Sequence, residues 1–372
     1  MTVPFRIREA GLDDNDRLIE LARHCPTQGR ISSYSDRYPD FFALTRQQGE
    51  RSFVYVAESL NGDLVASAVF LERSENRNGL NVKVLHFGDM RVHPAVRRTR
   101  VSAKLIQIYN DLLKSGKYDH GVVEILKSNT APSRANILLR SQMNIRSDGH
   151  IMIYKLLPVW NYKISKDWTY RQAKEQDLPR LAKLLHSVYQ NVDGAPSFSI
   201  EWLQEALNKH SSFSLANIWV AQNADGEISA CLAHWDQSAL RKTIILRYSG
   251  SLKFIVRLLA TLGLLWQLPP SPKAGRSLHF QYFRWLAAKP ENIRALQSLV
   301  RCAMRKSREG GKSQFIMVGF HPRDPLKAAI RGILKFREPM HVYSHRLITQ
   351  ASAVSQVPAA PGQSLYVDLA LI

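Results

Sequence analysis

The sequence predicts an α/β fold with an α+β mixed sheet in each of two tandem halves, because one strand–helix–hairpin pattern occurs twice in the same order. Residues 5–22 and residues 168–185 each begin with a short alternating strand and a turn rich in capping residues. Each then enters a helix with apolar residues three and four apart. A hairpin turn follows each opening, Asn-Gly at residues 61–62 and Asp-Gly at residues 225–226. Each half is therefore expected to hold a central mixed β-sheet flanked by helices.

Capping residues and apolar periodicity predict the individual elements. Asp13 or Asp14 and Asp177 are expected to cap the first helix of each half, since short acidic side chains accept the free amides at a helix start. β-branched and aromatic residues flank both hairpin turns. They predict strands over residues 53–58, 64–70, 218–222 and 228–233. Later in the second half, a strand is expected over residues 278–286 and an amphipathic helix over residues 293–303.

The predicted domain boundaries follow from this repeat. The first domain spans residues 1–157 and the second spans residues 167–350, with the connection between them at residues 158–166. Residues 351–372 are expected to form a flexible segment and a final strand over residues 364–372. Such a strand would complete a sheet in either half.

The chain carries a large positive charge, with 51 Lys plus Arg against 31 Asp plus Glu and a formal net charge of +20. Such a surface attracts polyanions at long range, including phosphates, nucleic acid, anionic lipid and acidic substrates. The basic residues are dispersed, without a Lys/Arg-rich tail or a nucleic-acid-binding motif, which argues against a nucleic-acid-binding protein. Hydrophobic residues make up 45% of the 372 residues, enough for the packed cores of two ordinary domains.

Three cysteines (Cys25, Cys231 and Cys302) lack disulfide or metal-ligand spacing. They are expected to be small buried side chains in a reducing cytoplasm, and no metal is expected. The first six residues show no signal-peptide pattern, which agrees with a cytoplasmic protein.

Residues 86–105 carry the strongest functional signal. An apolar strand runs into a proline turn, then into an arginine cluster, then into an amphipathic helix. This layout directs free backbone amides and the positive end of a helix dipole at one point. It predicts a site for a pyrophosphate or another polyanion.

This segment resembles the acyl-CoA-binding segment of the GNAT superfamily of N-acyltransferases, with motif-level similarity over residues 88–105. Arg97 lies where that family has Arg or Gln, whereas Arg100 and Ser102 occupy its two glycine positions. The resemblance implies tandem GNAT-like domains that bind acetyl-CoA or a related acyl-CoA. The implied cofactor-binding residues are Met90, Arg91 and Val92 by their backbone, Arg97, Arg98, Thr99, Arg100, Val101, Ser102 and Ala103 around the pyrophosphate, and Asn129 in the next helix.

The resemblance further implies transfer of the acyl group by direct attack of an amine, carried by a small molecule or peptide, on the thioester. Asp89 and Glu124 are the carboxylates expected to take the amine proton, with His86 and His93 as alternative bases. His93 stands in the family's usual turn sequence, so a structural role is expected for it. For each carboxylate the alternative is a strand residue that faces solvent or pairs with an arginine. Residues 139–140, Leu-Arg, stand where the family places a tyrosine acid. A rival function is therefore a non-catalytic CoA- or polyanion-binding module on the same scaffold.

The second half is expected to be a degenerate copy that shapes the acceptor pocket. Its corresponding turn, residues 287–294, has neither a glycine loop nor an arginine cluster. Its insert at residues 252–268 is apolar nearly all round but too short for a transmembrane helix. The insert is interpreted as a helix buried between the domains. The alternatives are a peripheral membrane contact through residues 254–268 and the wall of an apolar pocket.

Overall fold

The computed structural model describes residues 4–127 except 28 and 30, residues 143–250 except 210 and 211, residues 253–254, residues 273–347 except 312, and residues 364–372. The helices are α1 Asn15–His24, α2 Phe41–Gln48, α3 Val101–Lys114, α4 Leu178–Tyr189, α5 Ile200–Lys209 and α6 Ile293–Glu309. The strands are β1 Phe5–Glu9, β2 Ile31–Asp36, β3 Arg51–Ser59, β4 Leu64–Arg77, β5 Leu80–Val92, β6 His120–Leu126, β7 Met143–Leu156, β8 Thr169–Gln172, β9 Ile218–Gln222, β10 Ile228–Asp236, β11 Lys242–Tyr248, β12 Ser277–Leu278, β13 Phe280–Ala288, β14 Phe315–Phe320 and β15 Lys335–Leu347.

The two halves open with the same strand, turn and helix. Arg8 in β1 pairs with Asp14 before α1 at 2.6 Å, and Arg171 in β8 pairs with Asp177 before α4 at 2.6 Å. In both copies the aspartate also accepts the backbone amide three residues earlier, which fixes the turn. The predicted repeat and both predicted hairpins are confirmed.

The large sheet is symmetric about its centre. Its twelve strands lie in the order β1-β3-β4-β5-β6-β15-β7-β14-β13-β10-β9-β8. The last strand of each half is exchanged: β15 lies between β6 and β7, and β7 lies between β15 and β14. A smaller sheet, β12-β11-β2, also joins the halves, because β2 comes from the first and β11 from the second. The domain boundaries at residues 157 and 167 stay a prediction. In the folded protein each half contributes a strand to the sheet of the other half.

Helices cover this sheet through apolar faces. In the first half α3 packs over aromatic side chains of β4 and β5, with Tyr109 of α3 between Phe70 and Phe87. In the second half α6 buries Leu296, Leu299 and related residues, as its periodicity predicted. The two helices thereby pack beside the strand pairs β5–β6 and β13–β14.

The predicted final strand over residues 364–372 is wrong. Leu365 makes one isolated parallel bridge with Asp193, and Leu369–Leu371 form a 3-10 turn that Asp368 caps through the amide of Ala370. The physical reason is that β7 and β15 already fill the central sheet positions. The apolar alternation of the segment serves packing against the second half instead.

Several predicted features lie outside the described residues. These are Asn129 and its helix, the tyrosine position at residues 139–140, the insert 252–268 apart from residues 253 and 254, and residues 351–363. Within the described part of the chain, no helix is long and apolar enough to cross a membrane.

Candidate active site

A wedge opens between the parallel strands β5 and β6. Their pairing covers only residues 84–86 against residues 120–122. Beyond this point β5 continues to Val92 and β6 continues to Leu126, each paired on its other side. Beyond residues 86 and 122 no described strand pairs with the facing sides of β5 and β6, which leaves room for an extended ligand.

A β-bulge in β5 lies where the wedge opens. The register against β4 shifts between residues 88 and 91, so that β5 carries one extra residue there. Asp89 takes up the bulge with φ of +46°, a left-handed conformation that aspartate tolerates better than most residues. A Cβ at Gly88 would meet nothing within 4 Å, so the wedge is open at this point. The predicted contact residues Met90, Arg91 and Val92 follow directly.

The turn after β5 places three exposed arginines around the start of α3: Arg97, Arg98 and Arg100. Arg100 has φ of −81° and ψ of 7°, an ordinary conformation for any residue. The arginine that replaces the family's glycine therefore causes no backbone strain, and its side chain points to solvent. Thr99 stabilises the turn, since its Oγ1 donates to the carbonyl of Val96 at 2.8 Å.

The start of α3 has the character of an anion site. The amides of Ser102 and Ala103 precede the first carbonyls of the helix, so they have no partner within it. The first turn contains no acidic residue, which leaves the positive end of the helix dipole uncompensated. The predicted cradle residues, from Arg97 to Ala103, are thus brought together around one point at the mouth of the wedge.

His93 supports the turn. Its Nδ1 accepts the amide of Ala95 at 3.3 Å, at the start of the short 3-10 helix Pro94–Val96. Arg97 Nε donates to the carbonyl of Val92 at 3.3 Å, which ties the arginine to the end of β5.

Asp89 is held between two arginines. Arg37 Nη2 lies 2.7 Å from Oδ2, and Arg91 Nε lies 3.0 Å from Oδ1. Burial on its own would raise the pKa of Asp89, but Arg91 and Arg37 outweigh it and lower the pKa to about 2. Asp89 therefore fits the alternative interpretation of a strand carboxylate that pairs with an arginine. A carboxylate this acidic is also a weak proton acceptor at neutral pH. Arg37, stacked over Phe41 at 4.7 Å, had no signal in the sequence that tied it to this site.

A buried triad of Glu75, His86 and Glu124 crosses three strands on the face of the sheet opposite to α3. His86 Nε2 lies 2.6 Å from Glu75 Oε1, and Nδ1 lies 2.9 Å from Glu124 Oε1. Burial lowers the pKa of His86 and Arg73 adds to this effect, but the two carboxylates outweigh both and raise the pKa to about 9. His86 is therefore protonated at neutral pH, with one carboxylate on each side of its ring and Arg73 nearby.

Sequence reasoning identified Glu124 and His86 but missed Glu75. The signal that could have identified Glu75 was the strand alternation of β4, which places residues 73 and 75 on one face, together with the register of the β4–β5 hairpin. Burial raises the pKa of Glu124, but the pairing with His86 outweighs it and lowers that pKa, so the carboxylate is ionised.

The second half has a matching wedge without a cradle. β13 and β14 pair in parallel over residues 280–282 and 315–317 and then separate. β13 also has a bulge in its pairing with β10, where Trp285 has φ of +54°. The next turn, residues 289–293, leads into α6 without an arginine cluster. Among the described residues, the arginine-rich helix start beside a wedge is therefore a feature of the first half.

Comparisons with known proteins give a structural match alone, since no model of a known protein family and no curated protein matches the chain. The crystal structure of Saccharomyces cerevisiae N-myristoyltransferase with bound myristoyl-CoA superposes with a TM-score of 0.63 at 11% identity, over 93% of this chain and 80% of that one. The GCN5-related glucosamine N-acetyltransferase region of a fungal multi-domain GH3 β-N-acetylglucosaminidase gives 0.60 at 12% identity, over 93% and 38%. A GCN5-related N-acetyltransferase from Sphaerobacter thermophilus gives 0.51 at 12% identity, over 93% and 97%. Together with the split parallel strands, the bulge and the helix start at its mouth, these matches show that the chain has the fold of the GNAT superfamily of N-acyltransferases.

Proposed function

We propose that this protein transfers an acyl group from acyl-CoA to an amine. The observation that carries the proposal is the position of the anion site at the mouth of the wedge in the first half. A pyrophosphate bound at α3 would point its pantetheine arm between β5 and β6. One structure with the same fold is described with bound myristoyl-CoA, which supports an acyl-CoA as the donor.

The donor would be held by charge outside the wedge and by backbone groups within it. Arg97, Arg98 and Arg100 surround the phosphates, and the amides of Ser102 and Ala103 complete the cradle. The backbone of residues 90–92 lines the wedge, where one amide would stabilise the developing oxyanion of the thioester. Such a donor contributes about 3–4 kcal/mol in other enzymes.

The amine would approach from the face opposite to α3, where the triad lies. The neutral amine nitrogen forms a bond to the thioester carbon, the C–S bond breaks, and the CoA thiolate leaves. Its pKa, like that of cysteine, is about 8.5, so it needs little help from an acid. We assign the amine proton to the form of the triad of Glu75, His86 and Glu124 in which His86 is neutral, a form that becomes populated as the pH rises toward 9. Asp89 is assigned to structure, since its pKa of about 2 suits an ion pair better than a base.

The alternative function is a non-catalytic CoA- or polyanion-binding module in the cytoplasm. The exposure of Arg97, Arg98 and Arg100 and the formal net charge of +20 favour it, because both serve binding without chemistry. Both functions predict CoA binding. They differ in whether incubation with acetyl-CoA or a longer acyl-CoA and a panel of amines releases free CoA and an acylated amine, as measured by mass spectrometry.

Replacing Arg97 by glutamate is expected to weaken the binding of CoA and acetyl-CoA at least about tenfold, because it reverses a charge beside the pyrophosphate. The measurement is a titration by calorimetry, supported by the rise in melting temperature that a ligand of the folded state produces. ATP serves as a comparison ligand for general attraction to phosphates.

Arg294→Glu is the matched control, since Arg294 is exposed in the first turn of the corresponding helix α6. It should leave CoA binding unchanged. An intact protein that binds neither CoA nor acetyl-CoA would contradict the proposed function, and an equal loss in both variants would place the site elsewhere.

A further inference from the structure

A segment of the chain itself packs against the wedge of the second half. Leu365, Tyr366, Val367, Asp368 and Leu369 line one cavity together with Phe283–Leu286 of β13, Val318–Phe320 of β14, Tyr189 and Asp324. The segment therefore packs where two strands separate in the same way as β5 and β6.

The segment binds through its backbone like an added peptide rather than like a sheet strand. The amide of Asp193 donates to the carbonyl of Ser364 at 3.2 Å, and the amide of Tyr366 donates to the carbonyl of Asp193 at 2.8 Å. These two bonds form one isolated parallel bridge. Short backbone pairing of this kind sets the direction of a peptide and leaves its side chains to determine specificity.

Two side chains of the segment fit apolar sockets. The ring of Tyr366 contacts Tyr189 at a centroid distance of 5.0 Å and Phe198 at 6.1 Å. Leu369 lies against Gly319, where an added Cβ would come within 3.1 Å of its Cγ. Gly319 thus leaves room for a leucine at this position of the segment, and a larger residue there would displace it.

A buried charge pair anchors the segment. Asp368 Oδ2 lies 2.6 Å from Arg284 Nη2, and the guanidinium of Arg284 is about 1% exposed as a side chain. This guanidinium also stacks on Phe213, Trp235 and Trp285 at 4.5–5.1 Å. Its Nε and Nη1 have no hydrogen-bond partner among the described residues. Asp368 is thus the partner that offsets the cost of burying this charge.

The remaining residues of the segment reach back to the first half. Gln237 Nε2 donates to the carbonyl of Ala370 at 2.7 Å, and Arg73 of β4 donates to the carbonyl of Leu371. These donors come from both halves of the molecule. The end of the segment is therefore in direct contact with the first half.

We infer that the second wedge is a binding site for an extended peptide with the pattern Leu-Tyr-Val-Asp-Leu, and that residues 365–369 are its intramolecular occupant. The parallel bridge, the aromatic socket, the acid-binding Arg284 and the space at Gly319 are the recognition elements. The preceding residues 351–362, rich in Ala, Pro, Ser and Gly, have the composition of a linker. A linked occupant of this kind has an effective concentration on the order of millimolar, which keeps free peptides out until the link is cut. The inference does not depend on acyl transfer in the first half.

The test cuts the link in the folded protein. A protease site is inserted between residues 355 and 356, the purified protein is cleaved, and a fluorescent peptide of residues 362–372 is added. Exchange is followed by fluorescence anisotropy. We expect the labelled peptide to replace the cleaved segment and unlabelled peptide of the same sequence to compete. A peptide with Asp368→Asn should bind at least about tenfold more weakly, because it loses the charged partner of Arg284.

The peptide variants leave the protein itself unchanged, so a folding defect cannot explain their effect. A scrambled peptide of the same composition is the control and should not compete. Circular dichroism checks that the cleaved protein stays folded. If the segment leaves only when the whole protein unfolds, or if the Asp368→Asn peptide binds as well as the native one, the inference is wrong. CoA titration of the same cleaved sample tests the first half separately.

Discussion

Replacing Asp89 by asparagine is expected to lower the free energy of unfolding by about 3 kcal/mol, because it leaves two buried arginines without their carboxylate. Arg37 is 3% exposed and Arg91 is 8% exposed, so water cannot replace the lost partner. Asparagine keeps the left-handed conformation at the bulge, so the change removes the charge and adds no backbone strain. The measurement is denaturant unfolding of the variant and the unchanged protein at the same pH.

Asp63→Asn is the control for this experiment, since Asp63 is an exposed aspartate beyond the β3–β4 turn. Its effect should stay within about 0.5 kcal/mol. If both variants lose the same small amount, the Asp89 cluster does not hold β5 in its bulged form. The bulge would then have to be attributed to packing alone.

The stability that His86 adds is expected to disappear in alkaline solution. Its pKa is raised in the folded state from 6.5 to about 9, so the protonated form favours the folded protein. This contribution is fully present below pH 6.5 and is lost as the pH rises through 9. A shift of this size corresponds to a stabilisation on the order of 3 kcal/mol at acidic pH.

The measurement compares the unfolding free energies of the unchanged protein and of His86→Gln between pH 6 and pH 10. The difference between them should shrink as the pH rises through 9. Glu75→Gln removes the largest cause that raises the pKa, so in this variant the loss should begin nearer pH 6.5. A difference that is constant with pH would show that His86 is neutral in the folded protein.

The same titration bears on the proposed chemistry. If the triad accepts the amine proton, the rate of acyl transfer at saturating acyl-CoA should rise with pH up to about 9, and Glu75→Gln should move this rise to lower pH. His86→Gln should reduce the rate by about 10²- to 10⁴-fold. An unchanged profile in the Glu75 variant would assign the titration to the amine itself.

The features that the sequence predicted are those that local patterns encode. The repeat is visible because Arg8 to Asp14 and Arg171 to Asp177 have equal spacing and equal surroundings. The arginine-rich turn and the helix start of α3 are visible because their residues are contiguous in the chain. Both kinds of feature depend on neighbours within a few residues.

The remaining features depend on contacts between distant residues. Glu75 and Arg37 meet their partners only through the register of β4 with β5 and the position of the loop after β2. Residues 364–372 alternate like a strand, yet the same alternation suits a segment that packs beside two separating strands. Hydrophobic pattern alone does not distinguish these two environments.

The exchange of β7 and β15 restricts how the chain can fold. The sheet of the first half needs residues 335–347 beside β6, so it is incomplete until almost the whole chain has left the ribosome. The pairing of β7 with β15 joins residues about 190 positions apart, and such distant contacts slow folding. Until then β6 and β7 expose unpaired edges that other chains can join. A chain that ends at residue 157 is therefore expected to aggregate rather than to form a small functional domain. For the full-length protein, a chaperone that shields these strand edges during folding would raise the yield.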